Sequence, residues 1–137
     1  MGIDFFSKLL DLLSIHQETG SFIFDYAVLN HNGGYILFGG FKGSSGLDGS
    51  VSTTVARLDE NNTSWRKLGD IKNAREGHSA IYDGQVFLII GGKGTETTEK
   101  CSISESSIDC MDQSPILKDY ESHPSLFLVP GDFCSEL

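Results

Sequence analysis

Apolar residues along the chain fall in short runs of four or five, separated by clusters of Gly, Asn, Asp and Ser. From Tyr26 onward that pattern predicts β-strands joined by turns and no long helix, so the expected fold class is all-β. Residues 26–29 and 35–38 flank Asn30-His31-Asn32-Gly33-Gly34, and residues 79–82 and 85–90 flank Asp83-Gly84. Asp-Gly predicts a two-residue type I′ hairpin, because both residues tolerate positive φ. The first pair predicts the same hairpin with a longer turn. Residues 53–58 are expected to pair with 64–68, and 99–104 with 108–111.

The two ends read differently. In residues 1–13 the spacing of Phe5, Phe6, Leu9, Leu10, Leu12 and Leu13 suits an amphipathic helix. Residues 6–12 also parallel residues 65–71 position by position, as the decayed outer strand of a preceding unit would. At the far end, residues 125–129 read as a first strand and Pro130-Gly131-Asp132 breaks it. The sequence thus divides into an N-terminal segment 1–20, a repeat-bearing region 21–129 and a tail 130–137.

The pattern repeats. Tyr35-Ile36-Leu37-Phe38-Gly39-Gly40 returns 52 positions later (87 − 35) as Phe87-Leu88-Ile89-Ile90-Gly91-Gly92. A period near fifty residues is the mark of a repeat architecture, in which each unit covers its neighbour's apolar face. After each doublet comes a polar loop, 41–50 and 93–98, and then two further strands.

Charge narrows the partners. A formal charge of −9 and a pI near 4.7 repel phosphate backbones, so neither nucleic acid nor an anionic membrane surface is expected as a main partner. No apolar run approaches the ~18 residues a membrane span needs, which predicts no membrane insertion. Asp4, Lys8 and Asp11 interrupt what would be the apolar stretch of a signal peptide, and Phe6 stands where a myristoylation pattern requires Ser or Thr.

The search for catalytic chemistry yields no catalytic residues and no cofactor. Gly91-Gly92-Lys93-Gly94-Thr95 follows a strand as a phosphate loop does, but lacks its leading Gly and carries Gly94 where Ser or Thr would bind magnesium. His16, His31 and His123 have no carboxylate or cysteine partner at ligand spacing, so no metal site is expected.

Four apolar residues, the doublets Gly39-Gly40 and Gly91-Gly92, an apolar position ahead of Trp65, then Arg75 and His78 before the next strand together resemble the kelch repeat. The likeness covers residues 26–129. It implies four-stranded blades of a β-propeller around a central channel, here two blades and the first strand of a third. Two blades do not close a ring, so the likeness implies further blades in cis, self-association, or an unstable product. Physically, the doublets suit a strand exit where a Cβ would strike neighbouring backbone. Trp65 suits the space between sheets, with its indole N–H on an acceptor. The expected roles of Arg75 and His78 are structural bonds between blades, with ligand contact by Arg75 as the alternative.

The pattern departs from the family at Leu58 and Ile103, which replace its tyrosine, and at Cys110, which replaces the second tryptophan. Aligning Leu58 with Ile103 puts Cys101 at the place of Ala56, on the strand facing Cys110. The two are therefore expected to form a disulfide, the alternative being two buried thiols. Cys134 is left over. Asn61 and Asn62 head overlapping glycosylation sequons. With the disulfide they favour an extracellular or lumenal setting over a cytoplasmic one.

The function this implies is non-catalytic protein–protein recognition of a partner of unknown identity, through Phe41, Lys42 and Lys93 in the two loops, with Arg75 as a further contact. The alternative is a fragment of a secreted propeller enzyme, such as a copper enzyme of the galactose oxidase kind, or of a carbohydrate-binding protein.

Overall fold

A computed structural model describes residues 22–43, 49–61, 65–93, 95 and 97–113. The expectations for 1–20, 125–129 and 130–137, and those for Asn62 and Cys134, lie outside these residues. The described chain is all-β, antiparallel and without helix. Its strands are β1 (Phe22–Phe24), β2 (Ala27–His31), β3 (Gly34–Phe38), β4 (Phe41–Gly43), β5 (Gly49–Val51), β6 (Thr54–Leu58), β7 (Arg66–Asp70), β8 (Ser79–Tyr82), β9 (Phe87–Ile90), β10 (Thr98–Ile103) and β11 (Ile108–Gln113).

They form two four-stranded sheets, β2-β3-β6-β7 and β8-β9-β10-β11, and a three-stranded sheet β1-β4-β5. The small sheet corrects the reading of 41–50 as a loop. Phe41 pairs with both Phe24 and Val51, so the chain after the first doublet is a hairpin laid against the strand that precedes β2. That pairing joins residues far apart in sequence, and no local pattern announces it.

The turn lengths are the reverse of those expected. His31 pairs with Gly34, so Asn32 and Gly33 alone make the first turn, at φ 49° and 72°. Those are the positive φ values a two-residue type I′ turn needs. The second turn is longer, because Tyr82 pairs with Phe87 and four residues lie between them. There Asp83 Oδ1 accepts from the backbone N–H groups of Gln85 (2.8 Å) and Val86 (2.9 Å), a side-chain turn that displaces the two-residue form.

The four-stranded sheets stack front to back. The front face of the second, with Phe87, Ile89, Cys101 and Cys110, covers the back face of the first, with Ile36, Phe38, Val55 and Leu68. Period-two alternation places Tyr35, Leu37, Ala56 and Leu58 on the opposite, front face of the first sheet. Corresponding strands meet, β2 beside β8 and β7 beside β11. A Cβ at Gly69, where φ is 156°, would lie 2.8 Å from Cγ2 of Ile108, so a side chain there would have to displace the Ile108 methyl. A bulge between Val55 and Ala56 in the β6–β7 ladder adjusts the register at this point.

Candidate functional site: a turn-end groove and the seam behind it

The link 71–78 between the sheets carries the most densely bonded residues. Arg75 has no exposed surface. Its Nε donates to Glu99 Oε2 (2.9 Å), Nη1 to the carbonyls of Gly91 (2.7 Å) and Thr97 (2.6 Å), and Nη2 to Thr97 Oγ1 (2.8 Å). Arg75 therefore ties the link to the second doublet and to the start of β10, and offers no surface to a ligand. Glu99, equally buried, also accepts from the backbone N–H groups of Lys72 and Asn73. Sequence reading passed over Glu99, although it shares the core-facing side of β10 with Cys101, where a carboxylate needs a partner.

Both Gly doublets meet this same link. The N–H of Gly40 donates to Arg75 O (2.7 Å), and the N–H of Lys93, directly after the second doublet, donates to Glu76 O (2.8 Å). Gly39 and Gly92 stand at φ 58° and 107°, and a Cβ on either would come within 2.9 Å of Arg75 O or 3.1 Å of Glu76 O. Positive φ and close backbone together demand glycine there.

His78 closes the seam from the other side. Its Nε2–H donates to Phe38 O (2.8 Å), which leaves Nδ1 as a buried lone pair with no partner among the described residues. Burial, reinforced by the Arg75 charge, lowers its pKa to about 4 despite the bond to Phe38.

Registers correct the alignment of the two units. Tyr35 pairs with Leu58 while its counterpart Phe87 pairs with Cys101, so Cys101 occupies the place of Leu58 and not of Ala56. Glu99 is the counterpart of Ala56. Cys110, paired with Cys101, then matches Trp65, one step beyond the Arg57–Arg66 pair. Trp65 itself is half-buried, is no part of the core between these two sheets, and its buried indole N–H meets no acceptor among the described residues. It follows Leu58 onto the front face of the first sheet.

A disulfide joins Cys101 and Cys110, whose Cα atoms lie 4.1 Å apart. The bond spans a separation of nine residues, for which loop closure in the unfolded chain gives about 2–3 kcal/mol. Replacing both cysteines with Ala is expected to lower the unfolding free energy from urea denaturation by that amount; an unchanged free energy would show the bond to be thermodynamically idle.

At the end of the sheets opposite the doublets, the hairpin turns enclose an open groove of about 740 Å³. His31, Arg57, Asp59 and Arg66 line it from the first sheet, Ile103, Ser104 and Glu105 from the second. Arg57, its side chain only 11% exposed, donates Nε to Asp59 and Nη2 to the carbonyls of His31 and Asn32 (both 3.3 Å). Its Nη1 lies 3.3 Å from His31 Nδ1. Arg66 Nε donates to the other Asp59 oxygen (3.2 Å). Bonds from Arg57 and then Arg66 hold the Asp59 carboxyl below its ordinary range, while burial and the Arg57 charge lower the His31 pKa. His31 packs edge-on against Tyr82 (4.8 Å) and Phe87 (5.0 Å). Sequence reading missed the groove; its one visible sign is Arg57, a charge on the same side of β6 as Val55.

The remaining expected contacts lie elsewhere. Lys42 and Lys93 are exposed and Phe41 is half-buried, all at the doublet end. Lys93 Nζ lies 3.8 Å from Glu76 Oε1. Asn61 is exposed in the β6–β7 turn. Among the described residues no cluster of three or more His, Cys, Asp or Glu is arranged to hold a metal. No protein-family model matches the chain, and no curated protein matches it significantly.

Proposed function

We propose that this chain belongs to a kelch-type β-propeller and serves non-catalytic protein recognition. The observation that carries the reading is the stacking of two four-stranded sheets of identical strand order, front to back, each with its Gly doublet in the same place. Units related in this way continue around an axis, because the front of the first and the back of the second remain to be matched by like units. The disulfide and the exposed Asn61 favour an extracellular or lumenal setting.

Recognition is assigned to the doublet end. There the β4–β5 hairpin stiffens Phe41 and Lys42, and Lys93 stands on the corresponding turn of the second sheet. Rigid elements that present exposed side chains lose little entropy on binding. The test is affinity capture of the natural partner by the intact chain and by a Phe41→Ala/Lys42→Glu/Lys93→Glu variant. The same partner should be lost from the variant while its circular dichroism stays unchanged. Undiminished capture would remove the doublet end from the interface.

A further inference from the structure

We infer that the turn-end groove holds an extended peptide segment of the partner carrying one carboxylate, seated on Arg66, and one cationic side chain, seated on Glu105. This rests on the recognition reading and names a second, chemically defined contact within it.

The two walls of the groove have unequal unspent charge. Arg57 is nearly buried and commits Nε and both terminal nitrogens within the first sheet, so it acts as a brace for Asp59. Arg66 is different. Its side chain is 40% exposed and, among the described residues, only Nε is engaged, by Asp59. The Nη groups keep the planar pair of donors that fits a carboxylate. Asp59 accepts from both guanidinium groups, in Arg66 through Nε alone, so the Arg66 Nη donors remain for a ligand even with the Glu60 carboxylate on the same turn.

Across the groove the sign reverses. Glu105 stands exposed at the tip of the β10–β11 turn and makes no ion pair among the described residues. The turn is held by Ser104 N–H on Ser107 O (2.9 Å) and by the Ser104 and Ser107 hydroxyls, 2.7 Å apart. The Cys101–Cys110 bond anchors the same hairpin two residue pairs below Ile103. Glu105 is therefore an acceptor on a fixed tip, over a floor to which Ile103 contributes apolar surface. A ligand with a single sign of charge satisfies one wall and is repelled by the other. The volume of about 740 Å³ suits a few residues of extended chain.

The probe is a set of capped, fluorescently labelled peptides with one Asp and one Lys separated by glycines in varied number, titrated into the full chain and read by anisotropy. The best spacing should bind, and should lose about tenfold or more when Asp is changed to Asn or Lys to Gln, as each charged hydrogen bond is removed. In Arg66→Gln the Asp-to-Asn difference should vanish, and in Glu105→Gln the Lys-to-Gln difference should vanish. Lys67→Gln, which removes an exposed charge outside the groove, should bind the peptide as the parent does. Three outcomes would overturn the inference: no binding at millimolar peptide, binding indifferent to either charge, or charge dependence unaltered in both variants. If the peptide fails while the doublet-end variant still loses its natural partner, the groove assignment falls and the recognition reading stands. If both fail, both fall.

Discussion

Arg75→Met is expected to cost about 3–5 kcal/mol of unfolding free energy, because it strands Glu99 as a buried charge. It also leaves the carbonyls of Gly91 and Thr97 without this donor. For a domain whose whole stability is about 5–15 kcal/mol, that loss brings the chain to the edge of unfolding. Arg75→Lys should recover little of it, since one ammonium cannot reproduce three nitrogens fanned over Glu99, Gly91 and Thr97. Urea denaturation gives the number. If Arg75→Met is too unstable to purify, Glu99→Gln keeps the shape and removes only the charge, and should still lower the midpoint clearly. By contrast, breaking the exposed Lys67–Asp70 pair, with side chains 57% and 46% accessible, should shift stability by less than about 1 kcal/mol. A loss below that level for Arg75→Met would mean that the seam does not hold the sheets together.

Acid should weaken the fold through His78. Its folded pKa of about 4 lies below the ordinary value of 6.5, so between those values the unfolded chain binds the extra proton. The neutral ring's contribution is complete above pH 6.5 and is lost as pH falls toward 4. At about 1.4 kcal/mol per pH unit, the window is worth on the order of 3 kcal/mol. The cause is visible: protonation puts a hydrogen on Nδ1, where no described group accepts it, and beside the Arg75 charge. Glu99 and Asp25 oppose this only partly. His31 titrates in the same direction with an exposed turn around it, and adds a smaller slope. The check is the difference in unfolding free energy between pH 7 and pH 4.5 for the parent and for His78→Gln, whose amide can still donate to Phe38 O. The parent should lose about 2–3 kcal/mol across that interval and the variant much less; equal slopes would acquit His78.

Much of the scaffold was legible because it is local. The Gly39-Gly40 and Gly91-Gly92 doublets, the alternation in β3 and β9, and the facing cysteines all follow from short-range pattern, and the all-β antiparallel class with them. Turn lengths were not legible, for a physical reason. Asn30 and His31 look like loop residues, yet they extend β2 along one edge of the first sheet, where polar side chains are tolerated. Asp83 looks like half of a two-residue turn, yet its carboxylate finds two nearby N–H groups and widens the turn. The sheet β1-β4-β5, the Arg75–Glu99 pair and the groove depend on which strands meet across the stack, and residue spacing alone does not encode that. The linear alignment on Ile103 failed likewise: strand registers, not distance along the chain, make Cys101 the counterpart of Leu58.

The propeller reading treats each sheet as a unit that needs neighbours on both faces, and the two four-stranded sheets among the described residues do not make a ring. Size-exclusion chromatography with multi-angle light scattering on the purified chain tests this most directly. A propeller unit of two sheets should self-associate, eluting at a multiple of the monomer mass. A compact, monodisperse monomer that stays so at high concentration would contradict it.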